Sequence, residues 1–245
     1  MEKYQQKLAI KSYETNQYGK ASIESLFNIL IEAAWAHAQI MDWGYESLKS
    51  NNLLWVLSRM YFQIEKYPDW QDQITLSTWS AGTDGIYAYR EYILENEKGE
   101  VLLRASSAWL ILDMETRKIF RLSEFRATFP KLIEPNACRN PKRIKPDTHP
   151  EDLKYFPVLF SELDINQHFN SVKYVERVLD DFGIDFLNAY EPAELEVNYL
   201  REGQAGDRIA VTSTQLSESV YLNCLVRESD GADLCVLQII WRERA

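Results

Sequence analysis

Cysteine is scarce in this 245-residue sequence: Cys138, Cys224 and Cys235 make an odd set with no CxxC spacing. That argues against a disulfide framework and against zinc-finger spacing, so the three read as reduced, structural thiols and no metal is expected. Glycine is thin as well, at nine residues. None of them forms a phosphate-cradling loop or a Gly-x-Ser-x-Gly elbow, which sets aside nucleotide-binding loops and α/β-hydrolases. No run approaches the ~18 apolar residues of a membrane span. Positive charge is in deficit, with 27 Lys and Arg against 37 Asp and Glu for a net charge of −10. Nucleic acid is therefore not expected as a partner, because phosphate contacts need a basic face. The opening residues, Met1-Glu-Lys-Tyr-Gln-Gln-Lys, carry no apolar signal region and no Ser- and Arg-rich leader, so a cytoplasmic location is the expectation.

What the chain does have is apolar residues, 46% of the total, in two kinds of period. After a possible strand over 4–13 and a turn at Thr15–Gly19, Ile23, Leu26, Phe27, Leu30, Ala34, His37 and Met41 fall on one helical face. This predicts a helix of roughly 20 residues closing near Gly44 as a left-handed C′ residue. Strand-like runs follow at Leu53–Ile64, Gln73–Trp79, Ile86–Glu95 and Val101–Asp113, with a hairpin turn at Asn96-Glu-Lys-Gly99. The second half repeats the order, with a helix over Val172–Phe182 and strands at Glu194–Leu200, Arg208–Thr214, Val220–Arg227 and Leu234–Trp241. Both helices end in Asp-aromatic-Gly, at Asp42-Trp43-Gly44 and Asp181-Phe182-Gly183. One helix and about four antiparallel strands, twice, defines an α+β chain with a pseudo-repeat. Six of the eight prolines crowd into 130–157, which reads as an extended linker. The expected division is 1–130, a linker over 131–157, and 158–245.

Three histidines are present. His37 lies on an apolar helix face and reads as a core residue, and His149 lies in the linker and reads as exposed. His168 has company: Asp164 and Asn166 precede it at two-residue steps, and a helix follows whose start Asn170 or Ser171 can cap. If 161–168 is extended, alternate residues share a face and the three line one site at the helix's positive end.

The run Ser161-Glu-Leu-Asp164-Ile-Asn166-Gln-His168-Phe-Asn170-Ser-Val-Lys-Tyr174 resembles the active-site segment of the acyl-acyl-carrier-protein thioesterases. Tyr67-Pro-Asp-Trp70, Gly99-Glu-Val-Leu-Leu-Arg104-Ala-Ser-Ser-Ala-Trp109 and Tyr199-Leu-Arg-Glu202 resemble other recurring segments of that family, in its order. The resemblance implies a tandem (double) hotdog fold, each half a long helix wrapped by a curved antiparallel sheet. It implies hydrolysis of a fatty acyl thioester in fatty acid biosynthesis, with acyl carrier protein as partner and no cofactor. Carried over, His168 and Glu202 activate water, Asp164 holds the amide of Asn166, and Asn166 positions the carbonyl or the water. Many plant members carry cysteine directly after this glutamate; Gly203 stands here, so a cysteine nucleophile at that position is closed. The family's first half holds the acyl chain, which makes Leu26, Leu30, Trp55, Leu57 and Met60 candidates for chain-length choice within a Trp-rich half. Arg139, Lys142, Arg143 and Lys145 form a basic patch suited to docking an acidic carrier protein. An acyl-coenzyme A thioesterase of the same fold, a dehydratase of that fold and a non-catalytic acyl-binding module are the alternatives; the sequence leaves open a monomer or a homodimer.

Overall fold

The structure, a computed structural model, describes residues 3–125, 129–132 and 134–244. Its contacts divide the chain into two compact units, Met1–Pro141 and Lys142–Ala245.

Unit 1 begins with β1 (Tyr4–Ala9), passes through a single 3-10 turn at Ser12–Glu14 and reaches α1 (Ile23–Ile40) and α2 (Tyr45–Lys49). The strands β2 (Leu53–Ile64), β3 (Gln73–Thr83), β4 (Ala88–Asn96) and β5 (Val101–Asp113) follow, then the two-residue β6 (Ile119–Phe120) and α3 (Leu122–Phe125). The antiparallel order is β1-β3-β4-β5-β2, with β6 on the far end of β5. Ser22 caps α1 by accepting the Ser25 N–H, and the face carrying Leu26, Phe27, Leu30 and Ala33 is almost completely buried. The helix stops at Met41, earlier than the expected Gly44. The left-handed residue is Asp42 (φ 58°), and Gly44 (φ −80°) instead opens α2. An added Cβ at Gly44 would fall 2.9 Å from the Gln39 Cα, so close approach and not backbone sign explains the glycine. Gly99, at φ 77°, does close the predicted β4–β5 hairpin.

Unit 2 contains β7 (Phe156–Pro157), a 3-10 turn at Phe160–Glu162, α4 (Ser171–Asp181), α5 (Ile184–Ala189), β8 (Tyr190–Tyr199), β9 (Arg208–Ser217), β10 (Val220–Arg227) and β11 (Asp233–Glu243). Its order is β8-β11-β10-β9-β7. Val172, Val175, Val178 and Leu179 form the buried face of α4. In each unit the Asp-aromatic-Gly triplet is the joint between the main helix and a short second helix that the sequence pattern did not resolve.

The proline-rich stretch is shared between the units as two straps. In unit 1, Ser80 Oγ donates to Pro130 O at 2.6 Å, and the Ala137 N–H donates to the fully buried carboxylate of Glu91 at 2.9 Å. Burial pushes the Glu91 carboxyl up, against the hydrogen bonds from Ser106 and the strap that favour its ionised form. In unit 2, the Lys142 N–H donates to Glu196, the Ile144 N–H donates to Asn198 Oδ1 at 2.9 Å, and β7 pairs with β9. Ile144 and Leu153 also cover the outer apolar cluster of Leu222, Cys224, Val226 and Val236. A proline brings no N–H to a ladder, but the N–H groups of Ala137, Lys142 and Ile144 find buried acceptors on the strands. His149 is accordingly not a free linker residue: its Nε2 lies 2.7 Å from Asp233 Oδ1, and Cys224 completes a group whose donor atoms lie within 4.8 Å of one another. Burial pushes the Cys224 thiol up, away from the thiolate form.

Candidate active site

Residues 161–170 form a tight turn and not an extended run. Asp164 Oδ1 accepts the backbone N–H of Asn166 at 2.8 Å and of His168 at 3.0 Å, and the Asp164 N–H donates to His168 O at 2.8 Å. Gln167 takes the left-handed conformation (φ 64°) that closes the loop. The two-residue steps therefore mark the bonds of an Asx-type turn, not one face of a strand. Asn166 is exposed at its tip, and its link to Asp164 runs through the backbone N–H.

Past the turn, the Phe169 N–H donates to Gly203 O at 2.8 Å, which ties this hairpin to the loop after β8. That tie brings His168 to Glu202: Nδ1 and Oε1 are 3.7 Å apart, both side chains partly open to water. Asn170 caps α4 through the Val172 N–H, so His168 stands two residues before the helix's positive end. Tyr174, from the first turn of α4, accepts the Gly203 N–H on its hydroxyl at 2.8 Å and stacks edge-on against Phe169. Burial drives the Tyr174 phenol well above its ordinary range, so it stays neutral. A Cβ on Gly203 would lie 3.0 Å from the Phe169 Cβ and 3.1 Å from the Tyr174 hydroxyl, so the space a side chain needs is already filled. Beneath the turn, Arg177 grips Glu162 with Nε and Nη2 at 2.8 and 2.6 Å, and Glu162 also takes the Leu159 N–H.

Unit 1 holds a second copy of this hairpin. Asn16 Oδ1 accepts the N–H groups of Tyr18 and Lys20 at 3.0 and 3.3 Å, and Gly19 supplies the left-handed residue. Glu14 takes the Lys11 N–H as Glu162 takes that of Leu159, and the Ala21 N–H meets Pro68 O as Phe169 meets Gly203. The Asp69 N–H meets Asp72 Oδ2 as Gln204 meets Asp207, each at 2.9 Å. This register sets Asn16 against Asp164, Lys20 against His168 and Tyr67 against Glu202. Lys20 pairs with Asp69 at 2.7 Å. Unit 1 therefore keeps the scaffold and lacks the imidazole–carboxylate pair.

What unit 1 has instead is a narrow apolar cleft, with a cavity of about 40 Å³ that opens to solvent. Trp35, Trp43, Trp55, Trp109 and Phe129 wall it, and Arg90 lies in its lining. Of the residues expected to shape an acyl slot, Trp55 is in this lining. Leu26, Leu30 and Met60 are packed fully into the core and Leu57 is buried, so the lining does not include them. Arg90 was not anticipated here, because an arginine alone in a strand-like run gives no signal of burial; His37, expected as a core residue, is buried and bonds to Arg90. The basic residues Arg139, Lys142, Arg143 and Lys145 are exposed, with the Arg139 guanidinium lying 3.6 Å over the Tyr61 ring.

Two hotdog units, one with a histidine–carboxylate pair at a helix start and the other with an apolar cleft, define a thioesterase of the tandem hotdog class. Residues 1–129 match the acyl-ACP thioesterase N-terminal domain, and residues 145–243 match the acyl-ACP thioesterase C-terminal domain. The chain belongs to the acyl-ACP thioesterase family. Among its relatives, an oleoyl-acyl carrier protein thioesterase of Arabidopsis thaliana is 27% identical over 98% of this chain and 76% of its own length. A palmitoyl-acyl carrier protein thioesterase of Gossypium hirsutum is 30% identical over 98% of this chain, which spans 64% of that relative's length. The crystal structure of an acyl-ACP thioesterase from Bacteroides thetaiotaomicron shares the fold with a TM-score of 0.89 at 23% identity, covering 98% of each chain. The 12:0-ACP thioesterase from Umbellularia californica does so with 0.88 at 22% identity, covering 99% of this chain and 98% of the other.

Proposed function

We propose that this chain hydrolyses the thioester between a fatty acyl group and acyl carrier protein, with water as the nucleophile. The observation that carries the reading is the approach of His168 Nδ1 to Glu202 Oε1, 3.7 Å apart, at the start of α4. A neutral imidazole takes a proton from water near pH 7, and a carboxylate at this range steadies the imidazolium that forms. The spacing is longer than a hydrogen bond, as catalytic pairs often are before substrate binds. Attack on the thioester carbonyl gives a tetrahedral oxyanion, for which the N–H groups and dipole at the start of α4 are a fitting environment. Collapse expels the thiolate, which leaves with the proton gathered by His168. Asp164 acts as a positioning residue: it fixes the backbone of Asn166 and His168, and Asn166 at the exposed tip is the side chain placed to meet the arriving thioester. The filled space at Gly203 supports water over a protein nucleophile at that position.

The aromatic cleft of unit 1 suits the acyl chain, with Trp55 in its wall. Leu26, Leu30, Leu57 and Met60, buried in the core of the same unit, would act on chain length only indirectly. Arg139, Lys142, Arg143 and Lys145 supply local positive charge to attract the acidic carrier despite the net charge of −10.

The test is thiol release from dodecanoyl-acyl carrier protein by the purified chain, with dodecanoyl-coenzyme A in parallel. The carrier thioester is expected to be preferred in kcat/KM. His168→Ala and Glu202→Gln are each expected to lower kcat by about 100-fold or more, the scale of a general base and its partner. A His168→Ala protein at near-native rate removes the imidazole from the reaction, and release of no thiol by the native chain removes the activity itself.

A further inference from the structure

Arg90 is a buried cation beside an apolar cleft. It is 8% exposed. Among the described residues its hydrogen-bond partners are His37 Nδ1 at 2.8 Å and Thr78 Oγ1 at 3.3 Å, both through one terminal nitrogen. Neither carries negative charge, and no carboxylate of the described residues reaches ion-pair distance. His37 cannot share the charge: desolvation and the neighbouring guanidinium hold its pKa down at about 4, so it is neutral and accepts the Arg90 N–H. The nearby carboxylate Glu91 is committed to Ser106 and the strap at Ala137. The Tyr92 hydroxyl, which could offer an acceptor, is paired with Ser107.

Proteins rarely bury a charge without an opposite one. Among the described residues no opposite charge is present beside it, and the guanidinium lines a narrow, solvent-open cleft walled by tryptophan, along which a single aliphatic chain can lie. We propose that this cleft binds the free carboxylate of an aliphatic acid, with Arg90 as its counter-ion and the aromatic wall around its chain. Resting on the hydrolysis proposed above, the acid is the reaction's own product, and its retention in unit 1 makes it a competitive inhibitor of the acyl chain. A guanidinium offers paired N–H donors to a carboxylate, which an uncharged alcohol of the same length cannot engage equally.

The probe is sodium dodecanoate, below its micellar concentration, with 1-dodecanol as the uncharged control. Tryptophan fluorescence reports binding, because four tryptophans line the cleft. At pH 8 the acid is expected to bind about 10-fold or more tightly than the alcohol, the scale of a charge-assisted hydrogen bond. Arg90→Gln is expected to erase that difference while leaving alcohol binding in place, and Arg90→Lys to keep part of it. Carboxyl-labelled dodecanoate gives a measurement on the native protein: its bound carboxyl ¹³C signal should stay that of the ionised form at a pH where the free acid is protonated. Equal affinity for acid and alcohol, a difference that survives Arg90→Gln, or a bound carboxyl that protonates like the free one would each overturn the inference. Thiol release is read separately. An enzyme that turns over but binds acid no better than alcohol defeats this inference alone, and a chain that binds acid through Arg90 yet releases no thiol defeats the proposed activity alone.

Discussion

Replacing Asp164 by asparagine, and separately by alanine, distinguishes holding a turn from taking part in chemistry. The native carboxylate accepts two backbone N–H groups, at 2.8 and 3.0 Å, in a half-buried turn beside solvent. Asn16 performs the same task in unit 1 with bonds of 3.0 and 3.3 Å, so a neutral amide suffices for this backbone. Hydrogen bonds to charged groups contribute about 1.5–3 kcal/mol and neutral ones about 0.5–1.5, before water replaces part of each. Discounted for that exposure, Asp164→Asn is expected to cost about 1 kcal/mol, a fall in Tm of roughly 2–4 °C. Asp164→Ala loses both bonds and is expected to cost about 2 kcal/mol, roughly 4–8 °C. The kinetic contrast is larger. With the turn retained, Asp164→Asn should keep kcat within about 10-fold, while Asp164→Ala releases His168 from its place, for which about 100-fold is the usual loss. Thermal melts and thiol release on the three proteins measure this. If Asp164→Asn melts like the native protein but loses as much kcat as Asp164→Ala, the charge itself acts in the reaction and the positioning account is wrong.

Gly203→Ala is expected to destabilise unit 2 by about 1–3 kcal/mol and to lower kcat, because its Cβ meets Phe169 and Tyr174 and pushes the loop that carries Glu202; a denaturant melt with unchanged midpoint counts against this. His37 has its pKa lowered from 6.5 to about 4 by desolvation and by Arg90. Between those values the unfolded chain binds a proton that the folded chain excludes, so stability is full above pH 6.5 and is lost as the pH falls toward 4. The loss is expected to reach about 2.5 kcal/mol by pH 4.5, and His37→Gln should remove that part of the slope in denaturant midpoints. Glu162 is shifted the other way in effect: burial raises its carboxyl, but Arg177 and the Leu159 N–H outweigh it and the net value lies below 4.5. Its contribution is therefore whole above pH 4.5 and fades as the pH drops through the lowered value. Glu162→Gln should cost about 1–2 kcal/mol at pH 7 and progressively less below pH 4.5. A penalty constant with pH would mean that the Arg177 pair is not its source.

The two core helices were legible because their apolar residues recur at helical spacing, and the eight main strands because their runs are rich in aromatic and branched residues; burial along β5 and β10 runs through consecutive residues and does not alternate. The turn at 161–170 was not legible, because Asp164, Asn166 and His168 mimic a strand's alternation. Only the left-handed Gln167 and the Asx bonds distinguish the two, and neither is a hydrophobic signal. The straps were hidden for a different reason. Proline density reads as a linker, while the acceptors that pin it, Glu91, Glu196 and Asn198, lie about 50 residues away in strands. Glu202 was legible through its resemblance alone; its approach to His168 depends on the Phe169–Gly203 bond, a tertiary pairing with no local pattern.

If the proposed chemistry holds, the doubled hairpin separates the backbone of the site from the side chains that act in it. One sequence folds the same bracket twice, and in one of them a lysine–aspartate clasp stands where the other bears an imidazole. The bracket's cost in folding is met by asparagine or aspartate, a residue at positive φ and a capped helix, none of which is chemistry. A catalyst built this way can exchange its working side chains without renegotiating the fold, because the scaffold never depended on them.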